Sequence, residues 1–394
     1  MNKLKKLKMI YIGPAFSDGS GVGGGARLKN LIPIFNRMGI RIHLISVSYY
    51  SENLYIESKK INDLFYNTII HLPASFPRYL KALSIIPVFF LAFRSCRSKD
   101  IIFADFTVEI SYLPAIFLKY IFKKPLILDF IDAKFFKFIP DSLKSVSARQ
   151  ADMIFSISHY LESYAKSKYR CKHVVYVPNF VDTNLFKFES YYRTTLRNEL
   201  NIEDDEIVIG YAGAFVYWEG ISILLNAFYH LIKQFPRIRL AIMGKNYSPG
   251  DEDISNEIDQ FPFKDRVILI PSQPYSNVPK YLSAFDILCC PKIDCEINRA
   301  ANPVKVVEYI SMGLPTVCSA VGGIVDTIDD LHDGFLVKPG DSIELRNTIE
   351  WILLNPEEAK RIALNGRKKA VSQFSYNAIE YKLGREICSL LDGF

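Results

Sequence analysis

Residues 302–315 combine clear helix boundaries with charged side chains that could bind a ligand. Asn302 is a favourable N-cap, and Pro303 fits the first helical turn because its missing N–H would have no partner there. Gly313 ends the predicted helix. We therefore expect the start of this helix to offer backbone N–H groups and the positive end of the helix dipole, which together bind phosphate well.

Two charged side chains of this helix match such a ligand. Lys305 and Glu308 are three residues apart and share one face. The cation would neutralise a diphosphate, and the carboxylate one turn deeper would accept hydrogen bonds from ribose hydroxyls. The pair is therefore suited to a nucleotide sugar. The same spacing also fits an ordinary capped helix with a Lys–Glu pair on its surface.

The segment resembles the donor-site signature of retaining GT-B glycosyltransferases, the group called family four or glycosyl transferases group 1. Many members have two glutamates spaced E-x7-E, and Glu308, followed by Tyr309, matches the second. Ala300 stands where the first would be. A subgroup with the pattern N-P-x-K-x-x-E-Y lacks that glutamate as well, and this chain has the subgroup's pattern.

The resemblance covers nearly the whole chain, in the family's motif order. The motifs are G-G-G-A-R-L at 23–28, V-P-N-F-V-D-T-N-L-F at 177–186, Y-A-G-A-F-V-Y-W-E-G at 211–220, A-V-G-G-I at 320–324, D-G-F-L-V-K-P-G-D at 333–341 and F-S-Y at 374–376. The resemblance implies an α/β protein of the GT-B class, with two Rossmann-like domains whose parallel sheets face each other across the active-site cleft.

The resemblance and the residue types together predict which residues bind the donor. They are Gly23, Gly24, Gly25, Gly213, Trp218, Lys245, Arg299, Asn302, Pro303, Val304, Lys305, Glu308, Gly322 and Gly323. A lone tryptophan more often has a packing role, and a plain tight turn explains the last glycine pair equally well.

This chain departs from the family at two positions that relatives use for phosphate. Relatives often carry an arginine and a lysine where this chain has Ala214 and Glu219. Two expected cations are therefore absent, and Arg299, Lys305 and Lys245 are the nearest replacements.

Asp132 is the candidate catalytic residue. It follows the apolar run 126–130, and α/β sheets place ligand-facing groups at the ends of such strands. Asp129 is the weaker candidate because it lies inside the run. By resemblance, position 132 faces the reacting sugar and acceptor. The other interpretation is a loop aspartate that caps a helix over 133–138.

Residues 19–24 match G-x-G-x-x-G, so binding of a nicotinamide dinucleotide must be considered. That fingerprint requires the first glycine to follow the strand directly and an acidic residue about twenty positions later. Here the strand ends at Gly13-Pro14, and the following strand ends without an acid at Ser46–Ser48. A glycine loop before a helix still permits close backbone approach to a phosphate or sugar.

Composition indicates two folded domains. The 394 residues are 49% hydrophobic and 23% charged, which excludes a disordered chain. Apolar strand-like runs alternate with amphipathic stretches, as in βαβ units. We predict an acceptor domain over 1–186 plus a returning helix over 375–394, and a donor domain over 187–374.

Charge is uneven along the chain. Residues 1–186 carry a net charge of +13 and the remainder −7. A basic first half indicates an anionic partner, either anionic lipid or a lipid-linked phosphate, although a solvated basic face is the other interpretation. No nucleic-acid recognition motif accompanies it. The apolar run 85–93 indicates a buried helix or a segment that dips into a bilayer.

Other features bear on compartment and metal binding. Seven scattered cysteines without C-x-x-C spacing indicate thiols in a reducing cytoplasm. No secretory signal, transmembrane run or metal-binding pattern is evident.

The functional prediction is a retaining, metal-independent glycosyltransferase without a cofactor. It takes a nucleotide-sugar co-substrate and a glycan or lipid-linked acceptor, in the cytoplasm or on the inner face of the cytoplasmic membrane, for cell-surface polysaccharide or glycolipid synthesis. Two alternatives remain: a catalytically silent GT-B binding protein of a glycan assembly complex, and an NAD-dependent enzyme.

Overall fold

The chain folds into two compact units. The computed structural model describes residues 4–15, 24–77, 81–131, 140–246 and 254–394. Unit 1 comprises Met1–Pro178 and Tyr376–Phe394, and unit 2 comprises Asn179–Ser375. The predicted domain boundary after residue 186 falls later than this division.

The earlier division has a structural cause, because the segment after Asn179 packs on unit 2. Val181 N–H donates to Phe374 O at 3.1 Å. The Arg367 guanidinium donates to Thr183 O and to Phe186 O, each at 2.7 Å.

Unit 1 contains an eight-stranded sheet in the order β3-β4-β2-β1-β5-β6-β7-β8. All neighbours are parallel except β3 and β4, which are antiparallel. The strands are β1 Lys8–Pro14, β2 Arg41–Ser51, β3 Tyr55–Lys60, β4 Phe65–Pro73, β5 Ile101–Asp105, β6 Leu126–Phe130, β7 Met153–Ser156 and β8 Val174–Tyr176.

The helices of unit 1 connect these strands, as parallel pairing requires. They are α1 Gly24–Arg37, α2 Ile85–Cys96, α3 Glu109–Phe122, α4 Asp141–Ala148, α5 His159–Ser167 and, from the end of the chain, α14 Tyr376–Asp392. Helix α14 packs near Leu4 and Met38: a Cβ added at Gly384 would lie 3.5 Å from Leu4 and 3.6 Å from Met38. Tyr376 also bonds Asn30 Oδ1 at 2.9 Å.

Unit 2 contains a fully parallel six-stranded sheet in the order β11-β10-β9-β12-β13-β14. Its strands are β9 Ile207–Ala214, β10 Ile238–Lys245, β11 Val267–Pro271, β12 Ile287–Cys290, β13 Thr316–Ser319 and β14 Phe335–Val337. Its helices are α6 Ser190–Glu199, α7 Ile221–Leu231, α8 Ile254–Asp259, α9 Val278–Ser283, α10 Glu296–Ala300, α11 Val304–Met312, α12 Ser342–Leu354 and α13 Pro356–Gln373.

The predicted α/β class with two parallel-dominated sheets is confirmed. The run at 85–93 forms α2, which is half-buried: Val88 and Ala92 face the sheet, whereas Phe90 is exposed. Within the described ranges, no helix is both long and apolar enough to cross a membrane.

Candidate functional site

The candidate site lies at the carboxyl end of the unit 2 sheet, between β9 and β12. The chain builds the sheet outward from this pair in both directions, through β10 and β11 on one side and β13 and β14 on the other. Ligands of open α/β sheets bind at such a switch point, outside the carboxyl ends of the strands. Helix α11 begins beside these strand ends.

A buried cluster of three charged side chains occupies this position. The Glu219 carboxylate bridges two lysines, with Oε1 2.6 Å from Lys292 Nζ and Oε2 2.7 Å from Lys305 Nζ. All three side chains are at least 87% buried. The cluster carries a net charge of +1, so it favours an anion even though one carboxylate is already part of it.

Burial and ion pairing act in opposite directions on these groups. Burial alone would raise the pKa of the Glu219 carboxyl, but the charges of Lys292 and Lys305 lower that pKa to about 2. Burial likewise opposes the charge of Lys305, yet the Glu219 carboxylate raises the pKa of Lys305 above its ordinary value. Both partners therefore stay ionised at neutral pH.

Polar neighbours fix the geometry of the two lysines. Lys305 Nζ donates to Tyr211 Oη at 3.2 Å, and this hydroxyl donates to Ala214 O at 2.7 Å. Lys292 Nζ donates to Asn298 Oδ1 at 3.1 Å. A Cβ at Gly213 would lie 2.2 Å from Lys305 Nζ, so this glycine makes room for the ammonium group.

Glu308 lies one turn deeper on α11 and is 8% exposed. Burial raises the pKa of its carboxyl to about 7, although a hydrogen bond with Tyr275 and the charge of Lys305 act in the opposite direction. The burial of both residues rules out the alternative of a Lys–Glu pair on the surface.

The start of α11 corrects one prediction. The helix begins at Val304 with Pro303, not Asn302, at its N-cap, and this N-cap residue makes no side-chain cap hydrogen bond. Proline has no side-chain acceptor, so the cap position leaves the first-turn N–H groups without a side-chain partner. Gly313, at φ +70°, ends the helix as predicted.

Asn302 instead belongs to a turn with Gly322 and Gly323. Its Nδ2 donates to Gly323 O at 3.5 Å. A Cβ at Gly323 would lie 2.6 Å from the Asn302 side chain, and Gly322 has φ +57°. The glycine pair thus allows a tight turn to contact the residues that precede α11.

Three other predicted donor residues are not members of the cluster. Arg299 forms a two-point pair with Asp294 on the surface, at 2.6 and 2.8 Å. Lys245 is exposed at the end of β10, the strand next to β9. Trp218 is half-buried against Tyr217, and its carbonyl accepts from Asn298 Nδ2 at 2.7 Å.

Two predicted positions cannot be placed. Asp132 and Gly23 lie outside the described residues, as do most of the glycine loop at 19–24 and the alternative capped helix at 133–138. Gly24 and Gly25 form the first residues of α1.

Lys292 and Asn298 were not predicted from the sequence, and Tyr211 and Tyr309 were noted only as motif residues without a role. The Tyr309 hydroxyl donates to Ala212 O at 3.0 Å and accepts from Ala212 N–H at 2.7 Å, which joins α11 to β9. Lys292 does have a signal in the sequence, because it follows the end of an apolar strand by two residues.

Unit 1 contains a separate buried ion pair near its own strand ends. Arg27 Nε lies 2.8 Å from Asp129 Oδ2 and its second nitrogen 3.0 Å from Oδ1, with both side chains at most 3% exposed. Arg27 also donates to Pro178 O at 3.1 Å. Asp129, the weaker catalytic candidate, is therefore engaged in an ion pair that joins α1 to β6.

A cluster of side chains that could ligate a metal was also not predicted from the sequence. Asp329, His332 and Asp333 bring ligand atoms within 4.8 Å of one another. Lys369 Nζ contacts both carboxylates at 2.9 Å. An ammonium group thus occupies the position between the two acids.

Comparisons with known proteins bear on this arrangement. Residues 192–369 match the family model described as glycosyl transferases group 1. A D-inositol 3-phosphate glycosyltransferase of Segniliparus rotundus is 26% identical over 204 residues, which cover 51% of this chain and 44% of that protein. The capsular polysaccharide biosynthesis glycosyltransferase CapM of Staphylococcus aureus is 24% identical, covering 52% of each. The chain thus matches about half the length of these curated relatives.

Solved structures resemble the chain over almost its full length. The Anabaena protein HepE, crystallised in complex with UDP, has a TM-score of 0.75 and 19% identity and covers 97% of this chain and 100% of its own. The sucrose-phosphate synthase of Thermosynechococcus elongatus has a TM-score of 0.77 and 20% identity, covering 99% and 100%. At this identity the likeness shows the fold, which is GT-B.

Proposed function

We propose that the protein is a glycosyltransferase that uses a nucleotide-sugar donor, because residues 192–369 match the family model of glycosyl transferases group 1. The observation that carries the proposal is the buried, net positive cluster of Lys292, Glu219 and Lys305 at the sheet's switch point, with Glu308 one turn deeper on α11. A nucleotide sugar presents a diphosphate and ribose hydroxyls, and the cluster and the carboxylate are suited to these two groups.

The donor's base and sugar are to be identified by experiment. HepE has been crystallised with UDP-glucose, whereas one curated relative from Mycolicibacterium smegmatis is named as GDP-mannose-dependent. A thermal-shift panel of UDP-, GDP-, ADP- and dTDP-sugars should single out one nucleotide. NMR of the product should then show a new glycosidic bond, and a panel with neither binding nor turnover would contradict the proposal.

The mechanism that we propose proceeds with retention and relies on protein charge. The acceptor hydroxyl attacks the anomeric carbon, the bond from that carbon to the β-phosphate oxygen breaks, and the hydroxyl proton passes to the departing diphosphate. Lys292, Lys305 and the start of α11 would stabilise the negative charge that develops on the leaving group. Asp132 is proposed to face the reacting sugar and acceptor.

We propose a glycan or lipid-linked acceptor for this transfer, presented by unit 1. Curated relatives include a capsular polysaccharide glycosyltransferase and a phosphatidylinositol monomannoside mannosyltransferase. The net charge of +13 on residues 1–186 fits an anionic acceptor lipid. The enzyme would then work on the inner face of the cytoplasmic membrane, in cell-surface polysaccharide or glycolipid synthesis.

Glu308→Gln tests the donor site directly. We expect the substitution to keep the fold but to weaken donor binding by about 1.5–3 kcal/mol, because a charge-assisted hydrogen bond to ribose is lost. Calorimetric titration with the nucleotide sugar measures the effect. Unchanged affinity and turnover in this variant would mean that the carboxylate does not contact the donor.

The raised pKa of Glu308 predicts how donor affinity depends on pH. The ionised carboxylate is the better hydrogen-bond acceptor, and burial raises its pKa to about 7 in the ligand-free protein. Affinity should therefore rise by up to roughly tenfold between about pH 6 and pH 8, because binding favours the deprotonated form. The diphosphate of a nucleotide sugar stays fully ionised over this range. Glu308→Gln should abolish the pH dependence, and a slope that persists in this variant would assign it to another group.

A second candidate is a catalytically silent GT-B binding protein. The observation that favours it is Glu219, a carboxylate held between the two lysines where relatives often have a lysine. Nucleotide or partner-protein binding without turnover would support this alternative, and product formation would exclude it.

A further inference from the structure

Helices α2 and α3 of unit 1 expose a continuous apolar surface. Both pack on the sheet through buried residues such as Ala92 and Leu118. On the opposite side, Phe90 is 65% and Phe117 61% exposed. We name this surface the aromatic face; it consists of Ile86, Phe90 and Phe93 of α2 and Phe117, Tyr120 and Ile121 of α3.

Helical spacing and ring contacts make the aromatic face one surface. Its α2 residues follow at intervals of four and three, and its α3 residues at three and one, so each set lies on one side of its helix. The rings of Phe89 and Phe117 lie 6.4 Å apart, and those of Phe93 and Phe122 5.1 Å apart. These contacts join the two helices and bring their exposed side chains together.

Cations lie at one end of the aromatic face. Strands β4, β5 and β6 are parallel, so α2 and α3 run in the same direction and end at the same edge of the unit. Arg94 and Arg97 are exposed at the end of α2, and Lys123 is exposed after α3. Among the described residues, no carboxylate forms an ion pair with any of the three.

We propose that the aromatic face docks on an anionic lipid bilayer. The apolar side chains would enter the boundary between head groups and acyl chains, roughly 5–10 Å deep, as those of interfacial helices do. Arg94, Arg97 and Lys123 would then lie among the lipid phosphates. This inference rests on the proposed function. Docking on a bilayer would bring unit 1 to the lipid-linked acceptor.

The distribution of charge favours a bilayer over a protein partner. Residues 64–99 contain no acid, and the single acid of α3, Glu109, is buried. The next acid along the chain, Asp100, is exposed and follows Arg94, Arg97 and Lys99, so positive charge is in excess. Protein interfaces usually match charges of both signs, whereas an excess of positive charge complements a surface of phosphates. The aromatic side chains suit the interfacial region of a membrane.

Sedimentation of the whole protein with vesicles tests the proposal. We expect binding to phosphatidylcholine vesicles that contain phosphatidylglycerol, and weaker binding at high salt. Phe90→Asp/Phe117→Asp should lower the partition coefficient by roughly tenfold or more, since two apolar anchors become anions. Arg94→Gln/Arg97→Gln should reduce the preference for phosphatidylglycerol by roughly fivefold for each cation.

Ile343→Asp/Leu354→Asp is the matched control. Both residues are exposed apolar side chains on α12 of unit 2, at 63% and 64% exposure, and this variant should bind vesicles as the unchanged protein does. Donor affinity measured without vesicles tests the transferase proposal separately, because vesicle binding uses no donor.

Three outcomes would overturn the inference. The first is failure of the unchanged protein to sediment with anionic vesicles at low salt. The second is binding of the phenylalanine variant that is as strong as that of the unchanged protein. The third is a dimer that Phe90→Asp/Phe117→Asp dissociates in the absence of lipid, which would make the aromatic face an interface between two copies of this chain.

Discussion

Lys305→Ala should weaken binding of a nucleotide sugar by roughly ten- to a hundredfold and binding of the free nucleoside much less. The expected loss is about 1.5–3 kcal/mol, because the ammonium group would form a charge-assisted hydrogen bond to the diphosphate. The substitution also leaves Glu219 paired with Lys292 alone, so the cluster becomes neutral. Calorimetric titrations with the two ligands measure the difference.

A second substitution separates the two causes of this loss. Lys305→Ala/Glu219→Gln restores the net charge of +1 and should regain part of the affinity, in a double-mutant cycle. Arg361→Ala is the control, because this arginine is paired with Glu358 on the exposed side of α13 and has no predicted role in binding. Equal losses for nucleotide sugar and nucleoside would show that Lys305 does not contact the diphosphate.

Arg27→Met should destabilise unit 1 by about 3–5 kcal/mol, since it leaves the Asp129 carboxylate buried without its partner. Hydrogen exchange followed by mass spectrometry should show faster exchange in α1 and β6, with unit 2 unchanged. Arg37→Ala is the control: its pair with Glu380 is partly exposed, and such pairs contribute about 1 kcal/mol or less.

The double variant Arg27→Met/Asp129→Leu shows whether the unpaired charge is the cause. Replacing a buried ion pair with apolar side chains is often neutral or stabilising, so this variant should recover most of the lost free energy of unfolding. A double variant as unstable as Arg27→Met would instead assign the loss to the hydrogen bond from Arg27 to Pro178 O.

Some of the predicted strands are buried on both faces. The apolar runs at 126–130 and 316–319 coincide with β6 and β13, in which every residue is buried. Parallel strands covered by helices have such runs, which are visible without tertiary information. In contrast, β3 is exposed along its whole length and contains Glu57 and two lysines. Its existence depends on pairing with β4, and no local pattern reports that pairing.

Residue spacing alone predicted the candidate site only where its residues share an element. Lys305 and Glu308 are visible together because helical spacing relates them. Lys292 joins the cluster because β12 pairs with β9 in the folded sheet, although 73 positions separate it from Glu219. For the same reason, the sequence showed Glu219 only as a position where relatives often have a lysine. It did not show that this carboxylate pairs with two lysines. The N-cap prediction for Asn302 was wrong because the helix begins at Val304, which puts Pro303 at the N-cap position.

The path of the chain has a consequence for protein synthesis. The polypeptide leaves unit 1 at Pro178 and returns to it at Tyr376, so the ribosome finishes the sequence of unit 2 before it begins α14. Until then, nascent unit 1 lacks the buried side chains of Leu383 and Ile387 and the hydrogen bond from Tyr376 to Asn30. Since domains generally fold as units during translation, the unit that is started first is the one completed last.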